Sequence, residues 1–126
     1  MSGKLTTHVL DTANGCPGTG IAIALWQLDL RIDSKTLLKT TKTNQDGRTD
    51  EPLLTGEELE IGIYELIFSV GNYFARYGNY PDPSFLDEIP LRFGISDLKA
   101  HYHVPLLVSP WSYTGLFHSK KRRDMF

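Results

Sequence analysis

The side chains best suited to acid–base chemistry in this sequence are its 4 histidines. His101 and His103 alternate within an apolar run, so on a β-strand both would project from one face, about 7 Å apart. A His-x-His pair of this kind occurs in zinc sites, where His8 would be the candidate third ligand. The other interpretation is one surface histidine and one histidine held by a structural hydrogen bond. The spacing alone leaves both interpretations open.

An arginine in a turn and the single cysteine are the next candidates. Arg48 follows the turn sequence NQDG at 44–47, a place where a solvated charge is the usual outcome. Cys16 lies in the turn-like string NGCPG without a neighbouring cation to favour its thiolate, so we interpret it as part of a turn. One cysteine excludes an intrachain disulfide. The sequence has no phosphate-binding loop, dinucleotide fingerprint or Gly-x-Ser-x-Gly motif, so we expect no nucleotide cofactor.

Composition limits the classes of protein that need to be considered. The chain has 126 residues, of which 40% are hydrophobic and 22% charged, as in one ordinary globular domain. Residues 1–20 contain no apolar signal core, and no run approaches the roughly 20 apolar residues of a membrane span, so we expect a cytoplasmic protein. The net charge is −2, and four of the 13 basic side chains lie at 120–123. The rest of the chain is acidic, which argues against a nucleic-acid function.

Short apolar stretches separated by turn residues predict an all-β protein. In the first stretch we expect Leu5, Val9 and Leu10 to be buried, whereas His8 need not be. A Thr55-x-x-Glu58 capping box and the string at 71–80 predict short helices. The packing of seven candidate strands favours a β-sandwich. These strands are predicted at 7–11, 21–30, 37–43, 62–70, 89–95, 101–109 and 111–117.

Three strings together resemble the transthyretin-related 5-hydroxyisourate hydrolase family. They are LTTHVLDTANGCPG at 5–18, TNQDGRTD at 43–50 and HYHVPLLVSPWSYT at 101–114. The resemblance implies a transthyretin-like β-sandwich of seven to eight strands with one short helix, spanning residues 1–114. It also implies a homotetramer, a dimer of dimers, with substrate pockets at the junction between dimers.

The resemblance implies a reaction as well. The family hydrolyses 5-hydroxyisourate to 2-oxo-4-hydroxy-4-carboxy-5-ureidoimidazoline during urate degradation to allantoin, without a metal or other cofactor. Its catalytic residues correspond to His8, Arg48 and His103, which would also bind substrate together with Ser112 and Ser119. Opening a cyclic amide needs an activated water, a counter-charge for the oxyanion and a proton for the leaving nitrogen. Two imidazoles and a guanidinium can supply all three, and the sequence does not say which histidine is the base.

The end of the chain departs from the family pattern. The family continues after Ser-Tyr-Thr with Thr-Tyr-Arg-Gly-Ser, whereas here only Ser119 coincides after Thr114. We expect residues 115–126 to be partly strand and then a flexible basic tail. The lost Tyr-Arg pair leaves a second hypothesis, a non-catalytic transthyretin-like binding module or an impaired enzyme. Under the hydrolase hypothesis, His118 or the basic run would have to substitute for that pair. A third hypothesis is a zinc hydrolase built on His8, His101 and His103, which a chelator would inactivate.

Overall fold

The computed structural model describes residues 2–115 and, for the backbone only, residues 118–120. Within this part of the chain, ten strands form a six-stranded and a four-stranded sheet, as expected of a sandwich. The strands are β1 (Lys4–Asp11), β2 (Cys16–Pro17), β3 (Ala22–Asp29), β4 (Ser34–Lys42), β5 (Leu54–Thr55), β6 (Gly62–Ser69), β7 (Glu88–Ile95), β8 (His101–Val108), β9 (Tyr113–Gly115) and β10 (His118–Lys120).

The first sheet has the order β10-β8-β1-β2, with β5 also paired to β1 and β9 also paired to β8. Its central strands β1 and β8 are parallel, although they are the first and the last of the long strands. The second sheet is antiparallel, with the order β4-β3-β6-β7. Because β1 and β8 run together over eight residues, motifs from the two ends of the sequence lie side by side.

The helical segments are short, as the capping box and the 71–80 string predict. A 3₁₀ turn, Gly56–Glu58, keeps the capping box, and the backbone N–H of Thr55 donates to Glu58 Oε1 at 2.9 Å. Helix α1 (Val70–Phe74) follows β6 directly and leads into a second 3₁₀ turn, Ala75–Tyr77. No helix of the described residues is long and apolar enough to cross a membrane.

The core lies between the two sheets and follows the two-residue period of the strands. In β1, Leu5 and Val9 are fully buried, as predicted, and His8 is half-buried on the other face. The predicted burial of Leu10 is wrong, because Leu10 shares its parity with His8 and is only half-buried. In β8 the residues that alternate with the two histidines, beginning with Tyr102 and Val104, face the core.

Two predicted strands differ in detail from the structure. The segment at 21–30 buries Ile21, Ile23 and Leu25, but a bulge follows Leu25 and Leu30 is 58% exposed. The terminal strand predicted at 111–117 is β9, and β10 continues along the same edge of β8 in the same register. The predicted basic tail at 121–126 lies outside the described residues.

Candidate active site

The outer face of the first sheet brings the His-x-His pair next to the first strand. In the parallel register Thr6 lies opposite His103, and Lys4 lies opposite His101. Residues that lie directly opposite each other on neighbouring strands share a face, so these side chains form one cluster. Thr6 Oγ1 is 2.8 Å from His101 Nε2 and 2.8 Å from His103 Nδ1. The imidazole rings lie nearly edge-on, with centroids 6.1 Å apart.

Beside this cluster lies an open groove of about 350 Å³. Arg48 lines it together with Thr6 and both β8 histidines, so a guanidinium and two imidazoles face one space. The groove therefore combines a permanent cation with groups that can exchange a proton near neutral pH. Its walls include both basic and acidic side chains. The remaining lining residues are Lys4, Thr7, Thr49, Asp50, Glu51 and Pro52.

The turn before Arg48 is built to present this residue at the edge of β1. Asn44 Oδ1 accepts hydrogen bonds from the backbone N–H of Asp46 at 2.9 Å and of Arg48 at 3.1 Å. Gly47 has φ of +77°, and a Cβ there would lie 2.3 Å from the carbonyl oxygen of Val9. Only glycine fits so close to the neighbouring strand. The turn string NQDG thus fixes where the arginine emerges.

His8 lies next to Arg48 but not in the groove wall. The two residues form an isolated antiparallel bridge, which places them opposite each other across the edge of β1. His8 Nε2 is 2.9 Å from the carbonyl oxygen of Asp46. A carbonyl only accepts, so Nε2 carries the hydrogen and, in the neutral ring, Nδ1 carries the lone pair. His8 is not among the residues that line the groove of the single chain.

The structure places the two predicted substrate-binding serines at different ends of β8. Ser112 lies in the turn after β8, where its carbonyl oxygen accepts from the backbone N–H of Ser109 at 2.8 Å. By strand rise this turn is more than about 17 Å from His103. Ser119 is in β10, and its backbone pairs opposite Tyr102, between the two histidines. Within one chain Ser112 is therefore remote from the groove.

The zinc hypothesis can be compared with the contacts of its three candidate ligands. Nε2 of His101 and Nδ1 of His103 both bond to Thr6, and Nε2 of His8 donates to a carbonyl. Among the residues that the structure describes, no group of three His, Cys, Asp or Glu side chains could hold a metal ion. These contacts suit a hydrogen-bonded site better than a metal centre.

Cys16 belongs to a second polar cluster, which faces the core side of β1. The buried carboxylate of Asp11 accepts from the backbone N–H of Ala13 and Asn14, each at 2.9 Å, and from Asn14 Nδ2 at 2.7 Å. The Tyr73 hydroxyl also donates to it at 2.7 Å, and Cys16 Sγ lies 4.0 Å away.

The electrostatics of this second cluster follow from its hydrogen bonds. Burial alone would raise the pKa of Asp11, but the bonds from Asn14, Tyr73 and Ala13 outweigh it and the pKa is lowered. Burial, followed by the bond to Asp11, raises the pKa of Tyr73. The carboxylate is therefore held charged and the phenol neutral.

Two residues that matter for the groove were missed by the sequence analysis. Thr6 shares its parity with His8 in the first strand, so its exposure on the outer face could have been read from the period of two. The contact of Thr6 with His101 and His103 could not have been predicted in this way, because it depends on the pairing of β1 with β8. The side chain of Asn44 positions Arg48, and asparagine at the start of a turn is the signal for that role.

Comparisons with known proteins agree with the fold and with the motifs. The model of the HIUase/Transthyretin family matches residues 5–116. A 5-hydroxyisourate hydrolase from Ralstonia nicotianae is 57% identical over 113 residues, which cover 89% of this chain and 95% of that protein.

Two solved structures, of proteins with different names, show the same architecture. The crystal structure of (S)-allantoin synthase superimposes with a TM-score of 0.85 and 46% identity over 93% of this chain. This chain covers only 44% of that protein. Sea bream transthyretin in complex with thyroxine has a TM-score of 0.81 and 26% identity, over 91% of this chain and 94% of its own.

Proposed function

Because this chain belongs to the HIUase/transthyretin family, we propose that it hydrolyses 5-hydroxyisourate to 2-oxo-4-hydroxy-4-carboxy-5-ureidoimidazoline, a step between urate and allantoin. The Ralstonia nicotianae relative, which is 57% identical, is a 5-hydroxyisourate hydrolase, and this chain is a hydrolase of the same class. The observation that carries the proposal is the groove in which Arg48 and His103 lie together. Arg48 and His103 are 55 positions apart in the sequence, and the fold alone brings them to one groove.

The chemistry proceeds by attack of water on the carbonyl of a cyclic amide. His103 takes a proton from the water as its oxygen bonds to the carbonyl carbon. Nδ1 of His103 is bonded to Thr6, so the proton goes to Nε2. The guanidinium of Arg48 stabilises the oxyanion that forms and holds the flat ring by paired hydrogen bonds. The C–N bond of the ring then breaks, and the departing nitrogen takes a proton.

His8 is the second proton-carrying group of the proposed site. Its Nε2–H donates to the carbonyl of Asp46, so Nδ1 is the atom that exchanges a proton. In the imidazolium form, Nδ1–H gives its proton to the leaving nitrogen and His8 becomes neutral. The proton that His103 took from the water passes to solvent, and His8 takes one up again before the next turnover. Since His8 and Ser112 do not line the groove of one chain, the complete pocket forms in a homotetramer, where a second copy closes it. The cytoplasmic location predicted from the sequence stays a prediction.

The test follows the decay of freshly generated 5-hydroxyisourate by ultraviolet absorbance. The wild-type chain should accelerate the decay, and His103→Ala should lower kcat about 100-fold or more through loss of the base. A chelator should leave the wild-type rate unchanged. Inactivation by the chelator would favour the zinc hypothesis.

Two further outcomes concern the alternative function and the oligomeric state. A wild-type protein that does not accelerate the decay would contradict the hydrolase proposal and favour the binding module, which would then be examined by calorimetry with urate-like heterocycles. Gel filtration with light scattering should give a mass four times 14.2 kDa. A stable monomer with full activity would contradict the pocket between dimers.

A further inference from the structure

Thr6 lies between His101 and His103, with its hydroxyl oxygen 2.8 Å from one nitrogen of each ring. A hydroxyl has one hydrogen and two lone pairs, so it can donate to one ring while it accepts from the other. We propose, on the basis of the hydrolase function above, that Thr6 and His101 are positioning residues that hold His103 in the tautomer able to take a proton from water.

The chain of hydrogen bonds has two possible directions. In the first, His103 Nδ1–H donates to Thr6 Oγ1, and the Thr6 hydroxyl donates to His101 Nε2. Nε2 of His103 then carries the lone pair that a base requires. In the second, every bond is reversed, and Nε2 of His103 carries a hydrogen instead. The tautomer of His101 therefore selects the tautomer of His103 through a single oxygen.

The fold fixes the position of Thr6 Oγ1, the oxygen through which the tautomers of His101 and His103 are coupled. Thr6 is β-branched and sits within an eight-residue strand, so its χ1 angle has few alternatives. The pairing of β1 with β8 puts Thr6 opposite His103, and both neighbours of Thr6 in β1, Leu5 and Thr7, are buried. A strand anchored on both sides keeps the hydroxyl between the rings.

The first direction also matches the step in which His103 takes a proton. In that direction Nδ1 already donates to Thr6, so protonation at Nε2 gives an imidazolium whose second N–H has an acceptor in place. The bond from Nδ1–H to Thr6 becomes charge-assisted and stronger as the proton arrives. The pair thus favours the state formed in the reaction without any rearrangement of side chains.

The experiment compares variants that remove the hydroxyl or the second ring. Thr6→Val has the same shape without the hydroxyl and should lower kcat about tenfold, the effect of one lost hydrogen bond, with little change in KM. Thr6→Ser keeps the hydroxyl and should retain activity near the wild-type rate. His101→Phe should lower kcat to a similar extent. The double variant Thr6→Val/His101→Phe should be no slower than Thr6→Val, because both changes break one chain of bonds.

Thr12→Val is the matched control. Thr12 directly follows β1, and its Oγ1 donates to the carbonyl of Val108, the last residue of β8, at 3.1 Å. It is outside the residues that line the groove. Its kcat should equal that of the wild type. Equal kcat for Thr6→Val and wild type would overturn the proposal, as would a Thr6→Ser variant as slow as Thr6→Val or multiplicative losses in the double variant.

A second measurement does not depend on catalysis. The ¹⁵N chemical shifts of the imidazole nitrogens report which nitrogen of His103 carries the hydrogen, and His103→Ala assigns the signals. The wild type should show Nδ1–H in the neutral ring, and Thr6→Val should shift the population towards Nε2–H. Unchanged shifts would refute the positioning role even if the wild type is active. Conversely, the expected shifts in a protein that does not hydrolyse 5-hydroxyisourate would count against the hydrolase function alone.

Discussion

Strand β1 carries two polar clusters on opposite faces, and the two clusters differ in their access to solvent. On the outer face, Thr6 contacts two half-buried histidines at the wall of an open groove. On the inner face, Asp11 is 1% exposed, and its two oxygens accept four hydrogen bonds from N–H and O–H groups, besides the weak contact with Cys16 Sγ. The carboxylate and the phenol of the inner cluster are closed to solvent and substrate, whereas the outer cluster presents its groups to a space that a small molecule could enter.

The difference separates residues that stabilise the fold from residues kept for chemistry. A buried carboxylate is costly unless its hydrogen bonds are made within the protein, so Asp11 is tied to its own turn and to Tyr73 on α1. Arg48 is exposed on the edge of β1, and its charge contributes little to stability there. Substitutions in the two clusters should therefore change different quantities.

Arg48→Gln should have the largest effect on activity and a small one on stability. Losing the cation that faces the oxyanion should reduce kcat/KM about 100- to 1000-fold. Arg48→Lys should retain more of the wild-type kcat/KM than Arg48→Gln but not all of it, because an ammonium lacks the paired donors of a guanidinium. The absorbance assay measures this, with Arg31→Gln as the control, since Arg31 is exposed at the end of β3. An Arg31→Gln variant as impaired as Arg48→Gln would contradict the assignment.

Asp11→Ala should show the reverse pattern. The substitution leaves the Tyr73 hydroxyl and the Asn14 amide without their acceptor, which should cost about 2–4 kcal/mol of the free energy of unfolding. Urea denaturation gives this value. The control is Asp29→Ala, which removes a partly exposed carboxylate at the end of β3 and should cost about 0.5 kcal/mol or less. Catalysis by the folded fraction should be preserved. A selective loss of kcat in Asp11→Ala would show that the two clusters are not independent.

The acid sensitivity of the fold should be traceable to Asp11. Its pKa in the folded chain is lowered from the usual 3.8, so its charged form stabilises the fold above that value and the contribution is lost as pH falls through the lowered pKa. Wild type should melt above Asp11→Asn at pH 5 to 7. The difference between the two melting temperatures should narrow as pH falls below about 3.8. A gap that stays constant down to pH 2 would mean that the charge of Asp11 is not the cause.

Cys16→Ser should have the smallest effect. Cys16 is half-buried beside Asp11 and Tyr73 at 4.0 Å from each, distances typical of weak sulfur contacts. Both activity and stability should stay close to wild type, with a change of about 0.5 kcal/mol or less in the free energy of unfolding. Loss of activity on alkylation of the wild type but not of Cys16→Ser would give this thiol a role that its position does not suggest.

Much of the fold could be predicted from the sequence because local rules apply to it. The period of two in HYHVPLLV placed His101 and His103 on one face of their strand, and in THVLD it left His8 outside the expected core. The capping box at Thr55 formed as expected. The same rule should have corrected the prediction for Leu10, since residues two apart share a face. Strand ends such as that of β3 were missed because a bulge and an exposed end depend on neighbouring strands.

The sequence by itself determined the two-sheet pattern, the turn that presents Arg48 and the identity of the groups available for proton transfer. Which of these groups meet was decided only by the tertiary structure. The parallel pairing of β1 with β8 joins residues almost 100 positions apart, and it alone brings Thr6 between His101 and His103. The physical reason is that strand period and turn chemistry are local, whereas sheet pairing is selected by burial of the whole core.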